Sequence, residues 1–336
     1  MIVLSLIWVL GPWAYVVTFI HELGHLFFGL LTGYEFCYIH VGGKVLFKKD
    51  GKLKLERSIR RAPAGSCRMV TKRNEENFKF VLYYLGGVLF TSVLTVGCLL
   101  VAVFVKEKSV YIFFSIATGY GLLRVLFNLI PLGINDGRMI KDASKSREAR
   151  HCLYVINVAS RKLKNGERYK DFEKQMFVVD KEADYTNCFV AAMVFEEAIR
   201  LYDSGDIDIY MEQYKRVDLT KNSLYRTEII IEHLYYYIVQ KPDEYKAKLI
   251  YSNKDVQRAL KNEMWNYARV AAAYEIVINR DYEQGQKYLD VARESAEKLR
   301  LKGETLMELD RIEELEERLA EITRQRERDV VDKSAK

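Results

Sequence analysis

Apolar and polar positions divide this 336-residue chain into two parts of different character. The first part carries three long apolar runs, at about 2–31, 78–105 and 110–129. Each run is long enough for a helix to cross the hydrocarbon core of a bilayer. Beyond Pro131, apolar residues recur at helical spacing among many charged ones, which is typical of amphipathic helices. The pattern predicts a membrane-embedded part, residues 1–140, and an α-helical part outside the membrane, residues 141–336.

The segment between the first two runs, residues 34–77, follows neither pattern. Alternation from Tyr38 to Glu56 predicts a small β-hairpin or sheet with Asp50-Gly51 as its turn, and a loop is predicted at 62–65. The segment holds eleven Lys or Arg and five acidic residues. A solvated basic surface explains this charge, and attraction to anionic lipid headgroups is compatible with it. Nucleic-acid binding is not expected.

The charge distribution predicts one topology, because short basic loops stay on the cytoplasmic side of a membrane. The N-terminus would lie outside, residues 34–77 inside, the turn at 106–108 outside, and everything after Pro131 inside. The protein is therefore predicted to be a multi-pass protein of the cell membrane with a cytoplasmic C-terminal part. In the second run, Gly86, Gly87 and Gly97 are expected to let helices approach closely.

The C-terminal part is predicted to contain amphipathic helices at about 185–202, 223–240, 254–279, 282–299 and 304–328. The segment that begins at Tyr282 resembles the second helix of a tetratricopeptide repeat, and the preceding helix, with Trp265 and Tyr274, could pair with it. No regular period is visible, so the prediction is a repeat-like helical domain. Its aromatic residues are core residues by default. A groove that binds a cytoplasmic protein regulator is the functional alternative.

Three ionisable residues interrupt the first apolar run in the order His-Glu-x-x-His: His21, Glu22 and His25. This spacing puts both imidazoles on one helical face, where neutral nitrogens can hold a zinc ion. Glu22 can accept a proton from the water that attacks a peptide bond. Ionisable groups inside a membrane helix are costly, which favours a functional role over an accidental match.

A catalytic zinc site needs a third protein ligand. Asp136 follows the third apolar run, at the depth that the topology predicts for the two histidines. Alone, an Asp-Gly pair is also typical of a turn at a helix end; together with the first motif, the ligand interpretation is favoured. The other histidines, His40, His151 and His233, are weaker candidates. The five cysteines have no Cys-x-x-Cys spacing, so they are expected to be reduced structural thiols.

His-Glu-Leu-Gly-His in a first span, with Asn-x-x-Pro-x-x-x-x-Asp-Gly at the end of a third, resembles the site-2 protease family of intramembrane zinc metalloproteases. The resemblance covers the membrane-embedded part and implies a three-helix catalytic core. It implies that His21, His25 and Asp136 are the zinc ligands and that Glu22 is the catalytic base. Asn128 matches the asparagine thought to engage substrate. No PDZ-like insertion and no flanking spans are visible, a departure that leaves substrate choice and regulation open.

We therefore expect a mainly α-helical zinc metalloendopeptidase that cleaves peptide bonds in or near transmembrane segments. Its substrate would be a membrane-embedded or membrane-anchored protein, such as an anti-sigma factor, or a signal-peptide or pheromone precursor. A catalytically silent scaffold whose cytoplasmic helices bind partners is the alternative, and the intact Glu22 argues against it. A third interpretation is an intramembrane metallopeptidase that processes prenylated peptides. The motif from Asn128 to Gly137 argues against this interpretation.

Peptide bonds in an intact membrane helix are shielded by their own hydrogen bonds, so a substrate must unwind locally. An edge strand between Tyr38 and Glu56 could hold the unwound segment by strand addition. A hairpin that only stabilises the loop explains the same sequence pattern.

Overall fold

The three apolar runs form three long helices in the computed structural model, which describes residues 2–49, 51–58, 65–131, 133–217 and 225–334. They are α1 (Ile2–Thr32), α2 (Phe80–Phe104) and α3 (Lys108–Leu129). The stretches long and apolar enough to cross a membrane are Gly11–Thr32, Glu75–Phe104 and Lys108–Leu129. Large apolar side chains such as Val93, Phe104 and Phe127 are exposed on α2 and α3, an arrangement suited to lipid contact.

Helices α1 and α2 cross where both lack a side chain. A Cβ atom on Gly24 would lie 2.1 Å from the Gly86 carbonyl oxygen, and one on Gly86 would lie 2.4 Å from the Gly24 oxygen. A larger residue at either position would push the helices apart, as expected for small residues at membrane helix contacts. The predicted packing role is thus confirmed for Gly86. It is wrong for Gly97, whose built Cβ meets no described atom within 4 Å.

The segment after α1 forms a four-stranded antiparallel sheet rather than a hairpin alone. Its strands are β1 (Tyr34–Val41), β2 (Lys44–Lys49), β3 (Lys52–Arg57) and β4 (Ser66–Thr71), in the spatial order β3-β2-β1-β4. The pairing of Lys49 with Lys52 confirms the predicted hairpin; Asp50 and residues 62–64 of the predicted loop lie outside the described residues. Strand β4 buries Met69 and Val70 and has β1 as its sheet neighbour.

Two helices follow the third apolar run: α4 (Asp136–Ser144) and α5 (Arg147–Asn165). Helix α5 is fixed to the sheet by two polar contacts. Arg68 Nη2 donates to Ser160 Oγ at 2.5 Å, and Arg161 Nη1 donates to the Thr71 carbonyl at 3.2 Å. Strand β4 is therefore held by its pairing with β1 and by two hydrogen bonds with α5.

The chain forms two compact units, Met1–Arg161 and Lys162–Lys336. The second unit contains α6 (Cys188–Asp203), α7 (Ile207–Tyr214), α8 (Arg226–Tyr235), α9 (Glu244–Tyr251), α10 (Lys254–Ala259), α11 (Trp265–Tyr274), α12 (Tyr282–Glu297) and α13 (Lys302–Ser334). The prediction of one helix over 254–279 is wrong. That segment breaks between α10 and α11, where the Asn262 side chain accepts a hydrogen bond from the Met264 backbone N–H.

Helices α8 and α11 end alike, in π-helical segments, Tyr236–Gln240 and Glu275–Asn279. In each case an aspartate, Asp243 or Asp281, then caps the next helix by accepting a hydrogen bond from a backbone N–H three residues on. Helices α11 and α12 pack tightly at Gly285, where a Cβ atom would lie 2.5 Å from the Ile276 side chain. Two helix pairs of similar form thus follow one another. A tetratricopeptide-type repeat stays a prediction.

The core of the second unit encloses charged side chains. Arg269 is fully buried, and its Nε lies 3.4 Å from Glu308 Oε2. Arg311 Nη1 donates to the other oxygen of Glu308 at 3.2 Å. The rings of Tyr235 and Tyr202 cover the two guanidinium groups. The five cysteines are buried thiols that form no disulfide bond, as predicted.

Candidate metal centre

His21 and His25 lie one turn apart on α1 and direct their Nε2 atoms to the same point. These two nitrogens are 3.2 Å apart, and both side chains are buried. The first residue of α4 completes the group: Asp136 Oδ2 lies 3.1 Å from His21 Nε2, and Oδ1 lies 3.4 Å from His25 Nε2. Residues 115 positions apart (136 − 21) thus meet in one cluster.

The hydrogen bonds behind the imidazoles assign their tautomers. His25 Nδ1 lies 2.9 Å from the Tyr83 carbonyl oxygen, which can only accept, so this Nδ1 carries a proton. His21 Nδ1 lies 3.1 Å from Thr91 Oγ1, whose own proton is donated to the Gly87 carbonyl. His21 Nδ1 is therefore also a donor. Such partners orient metal-binding histidines and leave the Nε2 lone pair free.

The cluster fits a metal ion. Two Nε2 lone pairs and a carboxylate converge, and Asp136 Oδ2 is buried without a hydrogen-bond partner. Three acceptors that face one another repel unless a cation lies between them. Ligand bonds of about 2.0–2.1 Å in a tetrahedron place ligand atoms about 3.3 Å apart; the two Nε2 atoms are 3.2 Å apart, and one ligand atom from each of the three residues lies within 4.8 Å of the others. Within the described ranges, these three residues form the group that could hold a metal ion.

Asn135 positions Asp136 by joining two helix ends. Its Nδ2 donates to the carbonyls of Phe127 and Ile130 at the end of α3, at 2.6 and 2.7 Å. Its Oδ1 accepts from the Arg138 backbone N–H at 2.9 Å and so caps α4. Gly137 is needed for the same turn, because a Cβ atom there would lie 2.2 Å from the Leu129 carbonyl oxygen. The Asp-Gly pair thus begins α4, and its aspartate contributes a carboxylate to the cluster.

Glu22 lies on the neighbouring edge of the same face of α1 and is buried. The Cys67 backbone N–H at the start of β4 donates to its carboxylate. Gly65 packs against the Glu22 carboxylate, since a Cβ atom on Gly65 would be 2.3 Å from Glu22 Oε1. Burial raises the pKa of the Cys67 thiol well above its usual range. A thiol in such surroundings is a poor nucleophile.

A cavity of about 270 Å³ opens onto these groups. Its lining includes the metal cluster, Glu22, Cys67, Asn128 and Arg124. Asn128 Nδ2 donates to the Arg124 carbonyl at 2.8 Å, so one of its two donors is used within α3. The cavity brings together all five residues that the sequence singled out.

The remaining histidines lie elsewhere. His40 is buried in β1, His151 contacts Glu75, and His233 Nδ1 donates to the Ile229 carbonyl. Sequence reasoning missed Thr91, Asn135 and Arg124. Asn135 carried a signal, since asparagine is a preferred residue before the first turn of a helix. Arg124 carried another, as the one charged residue within the third apolar run, 110–129.

The chain matches no protein-family model, no curated protein and no solved structure. Its function is therefore argued from the chemistry of the site.

Proposed function

We propose that this protein is an intramembrane zinc metalloendopeptidase that cleaves peptide bonds in or near transmembrane segments of other proteins. The observation that carries the proposal is the convergence of His21, His25 and Asp136, with a buried carboxylate, Glu22, beside them. All four groups lie on helices next to or within stretches apolar enough to cross a membrane. The resemblance of both motifs to site-2 proteases supports the same conclusion.

Zinc is the ion that suits the group best. Two imidazoles, one carboxylate and a position left for water are typical of catalytic zinc sites. Iron(II) enzymes also use two histidines and one carboxylate, but their chemistry has no need of a neighbouring carboxylate base. When bound, the ion would polarise the scissile carbonyl and acidify the attacking water.

The chain's own residues would carry the proton. Glu22 would accept it from the attacking water and deliver it to the leaving amine, as the general base and then the general acid. The Cys67 N–H holds one side of this carboxylate, which fixes its orientation towards the cavity. Asn128 retains one amide hydrogen and its oxygen for the substrate, because its other hydrogen is used within α3.

The sheet would lie along the membrane surface. Every residue of β3 is exposed, and Leu53 and Leu55 alternate with Lys52, Lys54 and Glu56. An exposed strand with apolar and basic side chains suits the interface between anionic headgroups and acyl chains. As the edge strand of the described sheet, β3 would accept an unwound substrate segment by strand addition. This interface would be cytoplasmic in the topology expected from the loop charges, as would the second unit.

The second unit would bind a cytoplasmic protein that regulates the protease. Repeated helix pairs commonly present such a surface. Deleting it would then alter regulation and leave the metal centre intact.

The experiment compares the native chain with Glu22→Gln and His21→Ala in cells that express each form. Purified native protein and Glu22→Gln should each contain one zinc, whereas His21→Ala should contain almost none. Comparison of membrane peptides by mass spectrometry should reveal cleaved products with the native chain alone. Full cleavage by Glu22→Gln would refute the role of this residue as a base. Iron in place of zinc would refute the zinc protease and favour an iron(II) enzyme, and zinc without any cleavage would refute the protease and favour a scaffold.

A further inference from the structure

Arg124 is an unpaired cation in the wall of the proposed active site. It belongs to α3, five positions before Leu129, within a stretch apolar enough to cross a membrane. Its Nε atom is buried without a hydrogen-bond partner, and within the described ranges the guanidinium makes no ion pair. An arginine in such a segment is costly and marks a functional position unless a partner compensates it.

The position of Arg124 is not explained by a side chain that reaches the lipid headgroups. An arginine near a helix end can direct its charged group to the headgroups along its apolar stem. Arg124 instead lines the cavity with Glu22 and Asp136, and its charge acts on both Glu22 and His21. The charge of Arg124 therefore lies within electrostatic reach of Glu22 and His21.

The charges of the occupied site leave room for one anion. With a divalent ion in place, the carboxylates of Glu22 and Asp136 balance the ion, and Arg124 leaves one positive charge in excess. A neutral substrate would leave that charge uncompensated in a partly buried cavity, whereas a carboxylate would neutralise it. The planar guanidinium binds a carboxylate through two parallel hydrogen bonds, which a carbonyl cannot accept in the same way.

We propose that Arg124 determines specificity by binding a substrate carboxylate next to the scissile bond. The inference rests on the proposed function and names the substrates that the protease prefers: segments with an acidic residue, or with a free C-terminus, at the site of cleavage. Asn128, one turn further along α3, does not provide this charge recognition, and its amide is partly occupied by the Arg124 carbonyl.

The test measures binding rather than cleavage. The full chain with Glu22→Asp, which keeps the negative charge but withdraws the carboxylate from the attacking water, is loaded with zinc in lipid nanodiscs and titrated with fluorescent leucine–alanine peptides of about 20 residues. Each peptide has lysines at both ends and a central Gly-Pro pair that breaks the helix. The acidic probe has Asp beside this pair and an amidated C-terminus, and the neutral probe has Asn there. A third probe has the Asn and a free C-terminal carboxylate.

We expect the acidic probe to bind about tenfold more tightly than the neutral probe, as for a partly desolvated charge pair. Adding Arg124→Gln should abolish this preference with the zinc content unchanged, and Arg124→Lys should restore part of it. Arg138→Gln is the matched control, because Arg138 already pairs with Asp142 at 3.3 Å; it should keep the full preference. Tight binding of the third probe, lost with Arg124→Gln, would identify the carboxylate as a substrate C-terminus.

Equal affinity for the three probes, or a preference that survives Arg124→Gln, would overturn the inference. The proposed function fails by a different result: a zinc-loaded native chain that cleaves neither the bound acidic probe nor any cellular membrane protein.

Discussion

Gly87 of α2 lies against the imidazole of His25. A Cβ atom at position 87 would be 2.5 Å from His25 Nε2 and 2.6 Å from His21 Nε2. No real side chain tolerates these distances. Because Gly87 has no side chain, α2 leaves the space in which the two imidazoles of α1 converge. The metal centre thus depends on a residue that offers no ligand atom.

Gly87→Ala should abolish metal binding while the protein still inserts into membranes. The added methyl group occupies the space beside both Nε2 atoms and would displace the imidazoles. Zinc content after purification, measured by mass spectrometry, is the readout. Gly97→Ala in the same helix is the matched control, because its Cβ meets no described atom within 4 Å. Normal zinc content in Gly87→Ala would show that the two helices do not approach this closely.

Asn135→Ala should weaken metal binding by about 10–100-fold, the range seen when a residue that orients a ligand is lost. The alanine cannot bridge the end of α3 to the start of α4, so Asp136 would be held less firmly. Competition with a chromophoric zinc chelator gives the affinity. Asn77→Ala serves as the control, since its amide bonds only to the exposed Asn74 side chain. Equal affinities for the two variants would contradict the positioning role.

Glu308→Gln should destabilise the second unit by about 3 kcal/mol, because it leaves Arg269 and Arg311 buried without their shared counter-charge. Glu294→Gln removes an exposed partner of Lys298 and should leave the stability nearly unchanged, because solvent screens this ion pair. Pulse proteolysis of the full chain in increasing urea measures both values. Similar midpoints for the two variants would mean that Glu232, which lies 3.4 Å from Arg269 Nη2, and the tyrosine rings suffice to accommodate the guanidinium groups.

The second unit should lose stability as the pH falls below about 6.5. Burial lowers the pKa of His233, and the hydrogen bond to the Ile229 carbonyl opposes this effect only in part. The unfolded chain, with a histidine pKa near 6.5, then binds a proton that the folded unit excludes, so acid favours unfolding. Unfolding free energies between about pH 7.5 and 5.5 test this prediction. The decline should be shallower for His233→Gln, and parallel curves would contradict it.

The sequence predicted the metal cluster because its members were conspicuous. His21, Glu22 and His25 interrupt an apolar run, and Asp136 follows another at a matching depth. An ionisable residue in an apolar segment can be recognised as a candidate site residue from the sequence alone, and Arg124 meets the same criterion. The contribution of Gly87 could not be recognised in this way, because it depends on which face of α2 meets α1.

Other elements needed three-dimensional information. Strand β4 is short and follows a loop, so its sequence carries too little alternation to predict a strand; pairing with β1 determines it. The break between α10 and α11 was missed because apolar residues continue at helical spacing across it. A single hydrogen bond between Asn262 and the Met264 backbone ends that regularity.

The meeting of His21 and Asp136 also has a mechanical meaning. An ion shared by the two would bind the folded unit and not the unfolded chain, so its binding free energy would add to the stability of the fold. Chelation would then loosen the whole membrane unit as well as silence it. The ion proposed to activate water would then also stabilise the fold.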